Sequence, residues 1–247
     1  NMLPTHFLIL RNVFRDHGYN VELLKTEGPQ ISQVGLKYVH NDTCYPALLV
    51  IGQLVDALQS GKYDLDRTAL MITQTGGGCR ASNYIHLLRK ALVKAGYEDV
   101  PVISLNMSGL ESNPGFRLTI PLLVKLLGGL VYGDALMHLF NQVRPYEKNE
   151  GDSEAAMEKW VRTISREFKE NKGFSFKALR NNLRAISKDF EGIKVVPGNK
   201  IRVGVVGEIY IKSASLGNNN LEDFLHAQGC EYCLPGIMGF ALFKVEA

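Results

Sequence analysis

The feature that most constrains this chain is the run Thr75-Gly76-Gly77-Gly78-Cys79-Arg80-Ala81-Ser82-Asn83-Tyr84. An apolar segment at residues 69–73 precedes it, and apolar residues at helical spacing follow it, at Ile85, Leu87, Leu88, Ala91, Leu92 and Val93. The pattern predicts a strand, a triple-glycine turn, and a cysteine presented at or near a helix N-terminus. Glycines let backbone N–H groups come close to a ligand, and a helix N-terminus favours negative charge. The same position favours the thiolate form of a cysteine. A phosphate and an iron–sulfur cluster both fit such a loop, because both are anionic and both accept N–H bonds. Cys79 tilts the choice toward the cluster, with Gly76, Gly77, Gly78 and Arg80 as its surrounding cradle.

The rest of the chain narrows the classes. A length of 247 residues suits one large domain or two small ones. The net charge of +3 gives no case for nucleic acid, and the basic residues of 162–172 alternate with acids as on a solvated helix face. No apolar run approaches the roughly 18 residues of a membrane span. The most apolar stretch, residues 120–131, contains Lys125 and reads as a buried helix. No secretory leader pattern is present, so a cytoplasmic location is expected, and Asn1 before Met2 reads as a residue left by a tag. In a reducing compartment the four cysteines, Cys44, Cys79, Cys230 and Cys233, suggest metal or redox work before a disulfide framework.

In order, residues 4–17 predict a helix stopped by Gly18, residues 19–24 a short strand, and residues 30–39 a second helix. Asn41-Asp42-Thr43-Cys44-Tyr45-Pro46-Ala47 opens a third, with Asp42 or Thr43 as cap and Pro46 in the first turn. Cys44 thus takes the same kind of place as Cys79. Strands at 69–73 and 100–105 flank a helix at 82–95, an alternation that predicts a parallel sheet covered on both faces. Ligands in such folds bind outside the C-terminal strand ends, where residues 75–80 and 106–109 would lie. Helices are expected at 118–143, 152–169 and 175–188. A buried strand is expected at 201–210, a helix at 221–228 capped by Asn218, Asn219 and Asn220, and a strand-like segment through Cys230 and Cys233. The expected fold class is therefore α/β, with Rossmann-like parallel sheets and flanking helices, in two α/β lobes with a helical segment between them. The boundaries fall at residues 2–115, 116–195 and 196–247.

Each candidate carries an alternative. Cys79 could be a small thiol in a tight turn, and for Cys44 packing and ligation stay open. Cys230-x-x-Cys233 has the spacing of zinc and iron–sulfur sites. Residues three apart on a strand point to opposite faces, so one ligand and one packed thiol also fit. Arg80 could neutralise cluster or phosphate charge or form a surface ion pair. His40 could donate a proton or bond its loop, and Glu208 could face a ligand or cap. There is no Ser–His–Asp arrangement, and the lysine of a Walker loop is missing after the glycines, which argues against ATP hydrolysis by this chain. No catalytic residue is assigned.

Three stretches belong together: Lys37-Tyr38-Val39-His40-Asn41-Asp42-Thr43-Cys44-Tyr45-Pro46-Ala47, Gln74-Thr75-Gly76-Gly77-Gly78-Cys79-Arg80-Ala81-Ser82-Asn83-Tyr84, and Gly207-Glu208-Ile209-Tyr210 with Asn218-Asn219-Asn220. Together they resemble the 2-hydroxyacyl-CoA dehydratase component family, and within it the domains associated with CoA-substrate-specific enzyme activases. The resemblance implies Rossmann-like domains holding a cysteine-ligated iron–sulfur cluster, [4Fe-4S] or larger. It implies an ATP-dependent activase domain or subunit as partner, which delivers low-potential electrons for reductive or radical dehydration. Cys44 and Cys79 match the ligand motifs. The family pattern has a further cysteine near Phe243-Lys244, whereas the late cysteines here are Cys230 and Cys233. The expected function is an iron–sulfur redox domain of dehydratase or reductase type. The alternatives are a partner-docking domain with no cluster and a phosphate- or CoA-binding domain using Gly76 to Gly78. An acyl-CoA or other small-molecule substrate and a dimer are left open, and neither nucleic acid nor membrane is expected as a partner.

Overall fold

The computed structural model describes residues 2–73, 83–105 and 115–239. The first elements are α1 (Pro4–Asp16), α2 (Pro29–Tyr38), α3 (Tyr45–Gln59), β1 (Leu70–Thr73), α4 (Tyr84–Ala95) and β2 (Val102–Leu105). Then follow α5 (Ile120–Val143), α6 (Asp152–Lys169), α7 (Phe176–Glu191), β3 (Arg202–Gly204), α8 (Ile209–Ser213), α9 (Ser215–Asn218), α10 (Leu221–Ala227) and β4 (Glu231–Cys233).

The expected fold class is corrected. The chain is 61% helical, and among the described residues strands form two sheets of two short parallel strands each. It is mostly helical, not a pair of Rossmann-like α/β lobes. Two expected strands account for much of the difference. Residues 19–24 form no strand, and the Arg15 guanidinium donates to the Val21 carbonyl instead (3.2 Å). Of residues 201–210 only Arg202–Gly204 pair as β3. Gly207 then turns the chain at φ +130°, a conformation closed to residues with a side chain, and Glu208 starts α8.

The contacts divide the chain into two compact units, Leu24–Arg117 and Asn1–Leu23 with Leu118–Ala247. In the first, β1 and β2 run parallel with Leu70 opposite Val102 and Thr73 opposite Leu105, joined through α4 as the crossover that parallel strands need. Leu70, Ile72 and Val102 are buried with Ile51, Leu88 and Leu92 of α3 and α4. Helix α3 is buried around most of its circumference, the pattern of a central helix. It meets α2 backbone to backbone: a Cβ on Gly52 would strike the Ile31 carbonyl oxygen, and one on Gly35 the Leu48 carbonyl oxygen. Buried Gln53 adds a bond from its amide to the Thr26 carbonyl (2.7 Å).

In the second unit α1 packs on α5 and α6, and α5 on α6 and α7. Ile9, Leu122, Tyr132, Leu136, Ile164, Phe168 and Ile186 are among its fully buried side chains. Gly133 of α5 leaves the room that the buried His6 ring fills. The His6 Nε2 lies 2.8 Å from Asp134 Oδ1, and the same carboxylate accepts the N–H groups of Ile237 (2.8 Å) and Met238 (2.9 Å). Helix α5 extended to Tyr146 is long and apolar enough to cross a membrane by length and composition. The stretch 120–131, expected to be a buried helix, is buried on one side only: Leu122 and Lys125 are covered, the latter with its ammonium on Asn171 Oδ1 at 2.8 Å, while Ile120, Leu123, Val124 and Leu127 are exposed.

Two outcomes follow from these contacts. Gly52→Ala forces α2 and α3 apart and should cost on the order of 3 kcal/mol in urea unfolding, at the upper end of ordinary overpacking. Burial alone would raise the Asp134 carboxyl, but the bonds from His6, Met238 and Ile237 outweigh it and hold it below the usual carboxylate range. Its contribution is therefore present above the unfolded value of roughly 4 and lost as pH falls through the lower folded value. Asp134→Asn should cost about 2–3 kcal/mol at neutral pH and flatten stability against pH on the acid side, as read by urea midpoints.

Candidate functional site

Cys44 is the N-cap of α3. A turn closed by the Thr43 N–H on the His40 carbonyl (3.0 Å) leads into it, and Pro46 sits in the first helical turn, where a missing N–H costs no helix bond. No side chain caps this helix, so the first-turn N–H groups have no intrahelical partner and face the same end as the thiol. The Cys44 Sγ is 3.3 Å from the hydroxyl of Tyr84, the first residue of α4. Both residues are half-buried. Two helix N-termini are thereby brought together, and five positions before Tyr84 in sequence stands Cys79. In the sequence, the signal for Tyr84 is its place at the head of the helix that follows the glycines.

Gly76, Gly77, Gly78, Cys79 and Arg80 lie outside the described residues, as do residues 106–109 at the end of β2. The flanks of the glycine loop are Thr73, closing β1, and Asn83, preceding α4.

The late cysteines belong to the other unit. The Cys230 N–H bonds the Leu225 carbonyl at the end of α10 (2.9 Å), while its thiol lies 3.9 Å from the Gln228 carbonyl. Cys233 ends β4, beside Gly204 of β3, and its thiol donates to Glu231 Oε1 (3.8 Å). Burial and the Glu231 carboxylate push the Cys233 thiol up, away from the thiolate that a metal needs. Glu231 is itself buried, and its Oε2 accepts from Tyr146 (3.0 Å) and Arg202 (3.1 Å). This carboxylate ties the β3–β4 pair to the segment after α5. Among the described residues, no three His, Cys, Asp or Glu side chains are grouped as a metal ion requires.

Two other candidates have local work. His40 Nδ1 accepts the Asp42 N–H (3.2 Å), with the Asp42 carboxylate 3.3 Å away and both side chains exposed. That is a loop bond, and a charge contact so open to water would add little. Glu208 is the N-cap of α8, its Oε2 accepting the Ile211 N–H at 2.9 Å. Of the asparagines 218–220, Asn218 Oδ1 accepts the Leu221 N–H (3.1 Å).

No family model, no curated protein and no solved structure matches this chain.

The Glu208 geometry sets its own test. Glu208→Ala should lower stability by about 1 kcal/mol, the usual loss of an N-cap, and Glu208→Asp should recover much of it in the same urea titration.

Proposed function

We propose that the unit Leu24–Arg117 is a cysteine-ligated iron–sulfur redox domain, supplied with low-potential electrons by an ATP-dependent activase and acting in reductive or radical dehydration chemistry. The observation that carries the reading is the Cys44 thiol at the N-terminus of α3, against the Tyr84 hydroxyl at the head of α4. Cys44 contributes one thiolate, and Cys79, five positions before Tyr84, contributes another. A complete ligand set is not found among the described residues, and the raised thiol of Cys233 makes it the poorer of the late candidates.

A bound cluster supplies one-electron transfer at low potential. The protein's own part is to hold negative charge: the Tyr84 hydroxyl lies 3.3 Å from the thiol, where it can donate to a thiolate, the α3 first-turn N–H groups lie at the same helix end, and donors to cluster sulfur raise its potential. Arg80 and the glycines 76–78 are proposed to add charge and further N–H groups. The reading belongs to a reducing, cytoplasmic setting, where thiols stay free.

Anaerobic reconstitution of the full chain with iron and sulfide, followed by iron analysis and low-temperature EPR after reduction, tests it. Wild type should retain iron, Cys44→Ser and Cys79→Ser should lose most of it, and Cys233→Ser should lose much less. If wild type holds no more iron than the two first variants, the reading fails. A partner-docking role then leads, favoured by the exposed apolar stripe Ile120, Leu123, Val124 and Leu127 on α5.

A further inference from the structure

Helix α7 presents two different faces. Ile186 and Phe190 are buried, and Asn182 donates to the Tyr132 hydroxyl (3.0 Å) and to Glu167 Oε2 (2.6 Å), which fixes that side against α5 and α6. Beside this side, and sharing its edge at Leu179 and Leu183, the residues Phe176, Leu179, Arg180, Leu183, Arg184 and Ser187 line one surface trough of about 420 Å³. Their spacing of three and four residues places them along a single stripe of the helix. Phe176 is 80% exposed, and Leu179 and Leu183 are half-buried.

The charges along this stripe say what kind of surface covers it. By helical spacing Lys177, Arg180 and Arg184 run along one edge of the apolar residues. All three are exposed, and among the described residues none forms an ion pair or side-chain hydrogen bond. Of the two acids near the C-terminal end, Asp189 is paired with Lys159 (2.7 Å) and Trp160 (2.8 Å), and the exposed Glu191 accepts from Ser187 (3.3 Å) at the far end of the trough, so the first and middle turns carry only the cations. An apolar row beside a row of unpaired cations is complementary to a helix with an apolar row beside carboxylates. A lipid surface fits less well, because it needs an apolar face that projects, while Leu179 and Leu183 are recessed in the trough.

We infer that α7 is a docking helix for an acidic amphipathic helix of a partner protein, which lays its apolar residues on Phe176, Leu179 and Leu183 and its carboxylates against Lys177, Arg180 and Arg184. The 16 residues of α7 span about 24 Å, so this is a small, reversible contact governed by charge as much as by area. It does not rest on cluster binding and is read on the iron-free protein.

The probe is a fluorescein-labelled 21-residue amphipathic peptide with leucines on one face and glutamates beside them, titrated with the full chain by fluorescence anisotropy. A peptide with lysine in place of every glutamate is the counter-probe. Wild type should bind the glutamate peptide at least about tenfold more tightly, with affinity falling as salt rises. Arg180→Glu/Arg184→Glu should reverse that preference while its circular dichroism stays that of wild type. Phe176→Ser should weaken both peptides. Equal binding of the two peptides, no binding, or a preference that survives charge reversal overturns the inference. So does tighter binding to phosphatidylserine vesicles than to the peptide, or sedimentation showing a dimer that Phe176→Ser breaks.

Discussion

Two helices whose backbones touch set the geometry around Cys44. Gly35 and Gly52 remove the side chains that would hold α2 and α3 apart, and the facing atoms are carbonyl oxygens at Leu48 and Ile31. Backbone cannot move aside as the end of a flexible side chain can, so the crossing has little freedom. Helix α3 is then caught between α2 on one side and the β1–α4–β2 core on the other. Its N-terminus, and the thiol that starts it, inherit that fixed position. The Tyr84 hydroxyl at 3.3 Å is a consequence of the packing: α4 lies on α3, so their leading ends meet.

The helices of this chain were legible because their apolar residues repeat with a helical period and their ends carry plain stops. Helix α6 runs over the span expected for it, and α1 ends just before the glycine expected to stop it. The strands were not legible in the same way. Residues 201–210 carry Ile201, Val203, Val205 and Val206, a composition that favours strand, yet Ile201 is 73% and Val206 82% exposed. A β-branched run makes a long strand only when sheet neighbours cover it, and among the described residues this one is matched by the short β4 alone, opposite Arg202–Gly204 with single bonds at Ile201 and Val205. Where such runs stay uncovered, the chain is mostly helical in place of the expected two-lobed α/β fold. Pairwise alternation of short strands and helices does reflect a real local feature, the parallel β1–β2 pair around α4, but it does not extend into a layered sheet among the described residues.

For the candidate site, sequence placed Cys44 at a helix start, and the structure makes it the cap itself. It could not foresee Tyr84 as the neighbour of that thiol, since forty residues separate them. Nor could spacing alone show what surrounds the Cys230 and Cys233 pair. The structure adds Glu231, whose buried carboxylate is held by Tyr146 and Arg202 and sits against the Cys233 thiol. A negative group there works against a second one. His40 and Glu208, both plausible as chemical groups by residue type, are occupied by their own loops and caps, which is the usual use of such residues beside helix starts.

The carboxylate of Asp134 has a consequence for how the chain is made. It joins His6, 128 positions earlier, to Ile237, 103 positions later, while the whole unit Leu24–Arg117 lies in sequence between α1 and α5. As the chain leaves the ribosome, α2, α3, α4 and both strands of that inner unit are complete before any of α5 exists. The inner unit can therefore close first on contacts that are local to it, and α1 must wait, its buried face uncovered, until α5 and α6 emerge. Synthesis thus imposes an order, with the smaller body folding early and the first helix of the chain among the last to find its place.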